Sequence, residues 1–202
     1  MEVKLEKRYE LGVPAKHAWA ILSDLESVAS CMPGASLGEK TGDNAFKGSV
    51  KVKVGPATAQ FGGEVEILSM DSANRSLVLK GKGADKGGSS ASMELEASIE
   101  EADGQSVLVG LATVIVNGKF AQFGGRMMVQ VSDVILKQFV DNFIGKAQAL
   151  GEAAAALGGE GSSDKPAVQT TSEPANELNG LAIFWALLKS WLGGLFGKKS
   201  AG

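Results

Sequence analysis

Near residue 123 the spacing of apolar side chains changes from every second residue to every third or fourth. Before it, residues 36–41, 45–54, 57–70, 76–83, 89–99 and 106–119 read as six consecutive strands. After it, Met127, Met128, Val131, Val134, Ile135 and Phe139 form one wide apolar face of a helix that starts at Phe123 or Gly124 and runs to about residue 157. The strands are separated by short connections, among them Gly42-Asp43-Asn44, Gly55-Pro56 and residues 71–75, 84–88 and 100–105. Strands joined this way pair antiparallel, and a single long helix can cover one face of their sheet.

The N-terminal segment adds a strand and two helices. Residues 2–11 alternate, with Glu2, Lys4, Glu6, Arg8 and Glu10 on one side and Val3, Leu5, Tyr9 and Leu11 on the other, which gives a strand with one wet and one core face. Lys7 breaks the apolar side; it either reaches a cavity mouth or snorkels past a sheet edge. Val13-Pro14 ends the strand, and Pro14 suits the first turn of a helix over 15–24 anchored by Trp19, Ile21 and Leu22. A second short helix follows over 25–30, and Cys31-Met32-Pro33-Gly34-Ala35 turns the chain into the sheet. The expected class is therefore α+β: strand, two short helices, six strands and a long helix.

A sheet that clasps one helix must curve, and Gly48, Gly62, Gly63 and Gly81 are where it can bend. Aromatic residues make up 6% of the chain, too few to fill such an interior easily. We expect an elongated apolar cavity between sheet and helix; the alternative is a core packed solid by the same side chains. The candidate lining residues are Phe46, Val50, Val52, Phe61, Val65, Leu79, Met93, Leu95, Met127, Met128, Val131, Ile135 and Phe139. Methionines adapt to irregular apolar ligands, and Thr113, Asn117 or Gln138 would position a polar head group.

Residues 158–177 are poor in large apolar groups and rich in Gly, Ser, Thr and Pro, the composition of a flexible linker. Twenty such residues span roughly 25 Å on average. The tail, residues 178–202, is different. On a helix, Leu181, Phe184, Trp185, Leu187, Leu188, Trp191, Leu192 and Leu195 fall on one half of the circumference, opposite Ala182, Ala186, Lys189, Ser190, Gly193 and Gly194. The unbroken apolar run is only 181–188, short of the roughly 20 residues a span requires. The pattern suits a helix lying in the headgroup plane, with Phe196 adding to the apolar stripe and Lys198 and Lys199 near anionic lipid. Docking on its own domain or on a partner is the alternative. The expected division is a domain over 1–157, a linker over 158–177 and a membrane-associating tail over 178–202. Met1-Glu2 opens into a charged strand without an export signal, so the expected site is the cytoplasmic face of the cell membrane, bound peripherally.

A net charge of −3 and a pI near 5.3 argue against a nucleic-acid partner. Residues 1–150 carry 16 basic and 18 acidic side chains and residues 151–202 carry 4 and 5, so neither part is a basic arm. The only cysteine, Cys31, excludes an intramolecular disulfide and fits a reducing compartment. With His17 as the only histidine, a His/Cys metal site is excluded too. His17 lies beside Trp19 and Lys16 and reads as a packing or surface residue; Cys31, without a nearby His, reads as an inert small residue. Gly87-Gly88-Ser89-Ser90 follows Lys86 but lacks the strand-to-helix setting that phosphate binding requires, and reads as a hairpin. No catalytic constellation emerges, and the chain is expected not to be an enzyme. A cyclase-like or hydrolytic activity is the least supported reading.

Taken together, CMPGA at 31–35, FKGSVKVKVGP at 46–56, FGG at 61–63, GKGADKGG at 81–88 and NGKFAQFG at 117–124 resemble the CoxG family of carbon monoxide dehydrogenase accessory proteins. That family is a branch of the START-like helix-grip (SRPBCC) superfamily. The resemblance covers about residues 1–150, and the linker and tail look like those of members with a membrane anchor. It implies a non-catalytic accessory that helps a molybdenum-containing CO dehydrogenase, or a related molybdenum hydroxylase, work at the cytoplasmic membrane. CO oxidation sends electrons into respiration, so the expected cargo is a respiratory quinone, menaquinone or ubiquinone, with no metal or covalent cofactor. The alternative is a purely structural adaptor or assembly factor without cargo.

Overall fold

A computed structural model describes residues 1–102 and 105–158. The elements are β1 (Glu2–Glu10), α1 (Ala15–Leu22), α2 (Leu25–Cys31), β2 (Ala35–Lys40), β3 (Ala45–Val54), β4 (Ala57–Asp71), β5 (Ser76–Asp85), β6 (Ser90–Ala102), β7 (Gln105–Asn117), a 3-10 segment (Gly118–Phe123) and α3 (Gly124–Gly158). The expected order is borne out. The linker and tail expected over 158–177 and 178–202 lie outside the described residues, apart from Gly158 as the last residue of α3.

All seven strands form one antiparallel sheet in the order β1-β7-β6-β5-β4-β3-β2. The first two strands in sequence therefore occupy opposite edges, and α1 and α2 carry the chain from one edge to the other. Alternation in β1, broken only at Lys7, fixes its register on β7, where Lys4 pairs with Thr113 and Leu5 with Ala112. Two irregularities bend the sheet, between Leu37 and Lys40 in β2 and between Ile67 and Ser69 in β4.

Local chemistry sets the ends of the elements. Pro14 stands at the N-cap of α1 and its carbonyl accepts from the N–H groups of His17 and Ala18. Asp24 caps α2 by accepting from the Ser27 N–H at 3.2 Å. The last strand stops at Asn117 rather than Lys119. Gly118 adopts a φ of +79°, its missing Cβ leaves room for the Gly88 carbonyl, and the buried Ser89 hydroxyl accepts from the Lys119 N–H at 3.1 Å.

The 35-residue α3 is about 52 Å long at 1.5 Å per residue. Its middle turns bury Phe139, Val140, Phe143 and Ala147 against α1, α2 and the sheet. Its N-terminal half brings Met127, Met128 and Val131 to a second apolar cluster around Val54, Ala59, Val116 and Phe120. Among the described residues no helix is long and apolar enough to cross a membrane.

Candidate functional site: an apolar cavity over a glycine row

Between the two apolar clusters lies a cavity of about 390 Å³, within the range of roughly 300–1,000 Å³ usual for small-molecule sites. Its origin can be read in the strand register. One row across the inner face runs Leu37, Gly48, Gly63, Gly83, Ala91, Val116. Three adjacent glycines and an alanine leave the floor without side chains where α3 passes over it. The neighbouring row, Phe46, Val65, Gly81, Met93, Val114, opens a further gap at Gly81.

The glycines are not equivalent. A Cβ on Gly63 would collide with the Lys82 carbonyl and the Gly83 Cα, so strands β4 and β5 approach too closely there for any side chain. A Cβ on Gly81 or Gly48 would meet only ordinary contacts, with the Met93 Cε at 3.9 Å and the Ser36 carbonyl oxygen at 3.6 Å. The first glycine lets β4 and β5 close up on each other, and the other two leave space.

Ten of the proposed lining residues surround this cavity: Val50, Val52, Phe61, Val65, Leu79, Met93, Leu95, Met128, Val131 and Ile135. The remaining ones lie elsewhere. Phe46 is half-buried beneath the Lys40 ammonium, 5.9 Å from its ring centroid. Met127 packs on the Val54 cluster, and Phe139 is buried in the main core with its ring centroid 5.8 Å from that of Phe143. Thr113 and Asn117 need a correction. On β7 it is Val114 and Val116 that line the cavity, so the odd-numbered neighbours face the opposite side of the sheet. Gln138 is exposed and lies outside the lining as well.

Sequence reasoning missed the contribution of α2 and the turn after it. Leu25, Val28 and Met32 line the cavity, as do Leu37, Phe120 and the glycine row itself. The available signal was that Gly48, Gly63 and Gly83 each share the parity of the inward-facing apolar residues of their own strand; that they form one row emerges only from the register.

The polar residues around the cavity are mostly engaged. Ser132 donates to the Met128 carbonyl at 2.9 Å, and Lys82 pairs with Glu64 at 3.0 Å. Lys7, the break in the β1 pattern, pairs with Asp133 of α3 at 2.7 Å; this hydrogen bond holds its pKa above the ordinary lysine value. It ties β1 to the helix and is not part of the lining. Cys31 is fully buried, and burial pushes its thiol pKa up, which disfavours a thiolate nucleophile. His17 packs on α3, where a Cβ at Gly151 would lie 2.8 Å from its Nδ1. Among the described residues no group of three or more His, Cys, Asp or Glu is arranged to hold a metal ion. What this arrangement can do is enclose an apolar molecule.

Residues 9–148 match the carbon monoxide dehydrogenase CoxG family. The chain belongs to that family. A comparison with curated proteins found no match. Among solved structures, a conserved protein from Geobacillus kaustophilus aligns at 18% identity and a TM-score of 0.65, covering 74% of this chain and 96% of its own. The Zhui aromatase/cyclase from Streptomyces sp. R1128 aligns at 16% identity and a TM-score of 0.56, covering 76% and 98%. A START superfamily protein from Mycobacterium smegmatis aligns at 15% identity and a TM-score of 0.52, covering 73% and 98%. At these identities the likeness establishes the helix-grip fold alone, and one of these proteins is named as an enzyme. For this CoxG-family chain, membership and fold together suggest a ligand-binding accessory role.

Proposed function

We propose that the protein is a non-catalytic accessory that carries a respiratory quinone, menaquinone or ubiquinone, between the cytoplasmic membrane and a molybdenum-containing CO dehydrogenase. The observation that carries this reading is the apolar cavity of about 390 Å³ roofed by α3 and floored by the glycine row. A quinone is an apolar chain with a small neutral ring, and a cavity walled by Val, Leu, Phe and Met shields such a chain from water. Family membership supports the dehydrogenase as partner. The helix-grip domain over 1–157 would hold the cargo, the linker over 158–177 would give it reach, and the tail over 178–202 would keep it at the bilayer.

The test uses the full chain and vesicles containing menaquinone. After incubation and flotation, the wild-type protein should yield extractable quinone by mass spectrometry. Gly81→Leu, which fills the floor without a backbone collision, should yield little. If the wild-type protein carries none, the quinone reading is lost. If Gly81→Leu supports electron delivery from the dehydrogenase as well as the wild type does, the protein is a structural adaptor without cargo.

A further inference from the structure

A second hollow adjoins the apolar cavity. It lies between α2 and β2, has a volume of about 400 Å³, and shares Ala29, Ala35, Ser36 and Leu37 with the cavity. Three of those four residues are small, so Leu37 is the only large side chain in the partition. The two hollows differ in character. Around Val54, Val116, Phe120 and Met128 the apolar cavity offers no uncommitted polar side chain, and a polar head group buried there would lose its bonds to water unreplaced.

The second hollow can replace them. It runs beside β2, which lies at the sheet edge, where a strand presents backbone N–H and C=O groups with no partner strand. The Ser36 and Ser49 hydroxyls, 2.9 Å apart, lie on the sheet face opposite the Leu37–Gly48 row, so the polar groups available to the hollow are those of the β2 edge and of α2. Charge is balanced at this place. The Glu26 carboxylate has no ion pair among the described residues, and the Lys146 ammonium sits on the Ser30 hydroxyl, whose proton goes to the Ser27 carbonyl at 2.7 Å.

We propose that this second hollow is a head-group compartment that fixes the direction of the cargo. The ligand lies with its apolar chain between sheet and α3. Its polar end, an uncharged group bearing carbonyl or hydroxyl oxygens, passes the Leu37 partition and rests between α2 and β2. This rests on the proposal that the cavity holds an amphipathic cargo, and it adds the orientation and the head-group class.

Two dodecanol probes test it on the full-length protein, one with a diazirine beside the hydroxyl and one with the diazirine at the far end of the chain. After photolysis, peptide mapping should place the first label within residues 25–38 and the second near Phe120 and Met128. The reverse pattern, or equal labelling of both places by both probes, overturns the orientation and leaves the cargo reading standing. Gly81→Leu and, independently, Val131→Trp should suppress both labels. If neither does, the probes are not in the cavity and the cargo reading falls together with this one. Dodecanoate, ionised at pH 8, should compete with the labelling about tenfold less well than dodecanol, because a hollow of balanced charge offers a carboxylate no net cation to replace its lost hydration. Equal competition overturns the uncharged head group.

Discussion

Asp71 ends β4 and organises the turn into β5. Its carboxylate accepts from the Asn74 N–H at 3.1 Å, the Asn74 side-chain amide at 2.6 Å and the Ala73 N–H at 2.8 Å. These bonds, those from Asn74 foremost, hold its pKa below the ordinary aspartate value. A carboxyl whose folded pKa lies below its unfolded value stabilises the fold above the unfolded value of about 3.9. That contribution disappears as pH falls through the folded value. Asp71→Asn should therefore be less stable than wild type in urea at pH 7, and the gap should shrink as pH is lowered below about 4; a gap independent of pH would show that the charge plays no part. Ser106 acts by a different route. It is fully buried, and its hydroxyl donates to the Val13 carbonyl at 2.6 Å, pinning the β1–α1 connection to the start of β7. Ser106→Ala leaves that carbonyl unsatisfied and should cost about 1–3 kcal/mol, read from the denaturant midpoint.

At the scale of elements, the register of the strands makes the cavity. Gly63 and Gly81 both lie on the inner face, yet they predict opposite outcomes. Gly63→Ala forces a Cβ into the β5 backbone and should destabilise the sheet by about 3 kcal/mol or more, in the range of the largest single-residue effects. Gly81→Leu points into open space and should stay folded while excluding cargo. Thermal unfolding with quinone binding separates the two cases. The same register explains what was legible in the sequence. β1 alternates at every position but Lys7, so its inner face could be read directly. β7, QSVLVGLATVIVN, is apolar on both faces, and its own pattern cannot say which parity points inward. Only its pairing with β1, Lys4 opposite Thr113, turns Val114 and Val116 to the cavity and removes Thr113 and Asn117 from it. The share of α2 in the lining was hidden for a related reason. Leu25, Val28 and Met32 form an ordinary short apolar stripe, and nothing local shows that it faces a hollow rather than a packed core.

For the whole molecule, the proposed division of labour separates holding cargo from reaching it. Among the described residues, the apolar cavity is lined by α2, the strands, the 3-10 segment and α3, the elements of the domain proposed to hold the cargo. Removing residues 178–202 should therefore leave quinone binding in detergent unchanged. It should abolish co-flotation with anionic vesicles, because the Trp185/Trp191 stripe and Lys198-Lys199 are the residues proposed to engage lipid. Substituting Trp185 and Trp191 by serine should reproduce most of that loss without shortening the chain. Salt discriminates between the contributions, since Lys–lipid attraction is screened within about 8 Å at physiological ionic strength whereas apolar insertion is not. A full-length protein that still floats at high salt, but not after the tryptophan substitutions, is held by its apolar stripe. A truncated protein that floats as well as the intact one would mean that the domain itself binds the membrane, and the tail would then lose its proposed role.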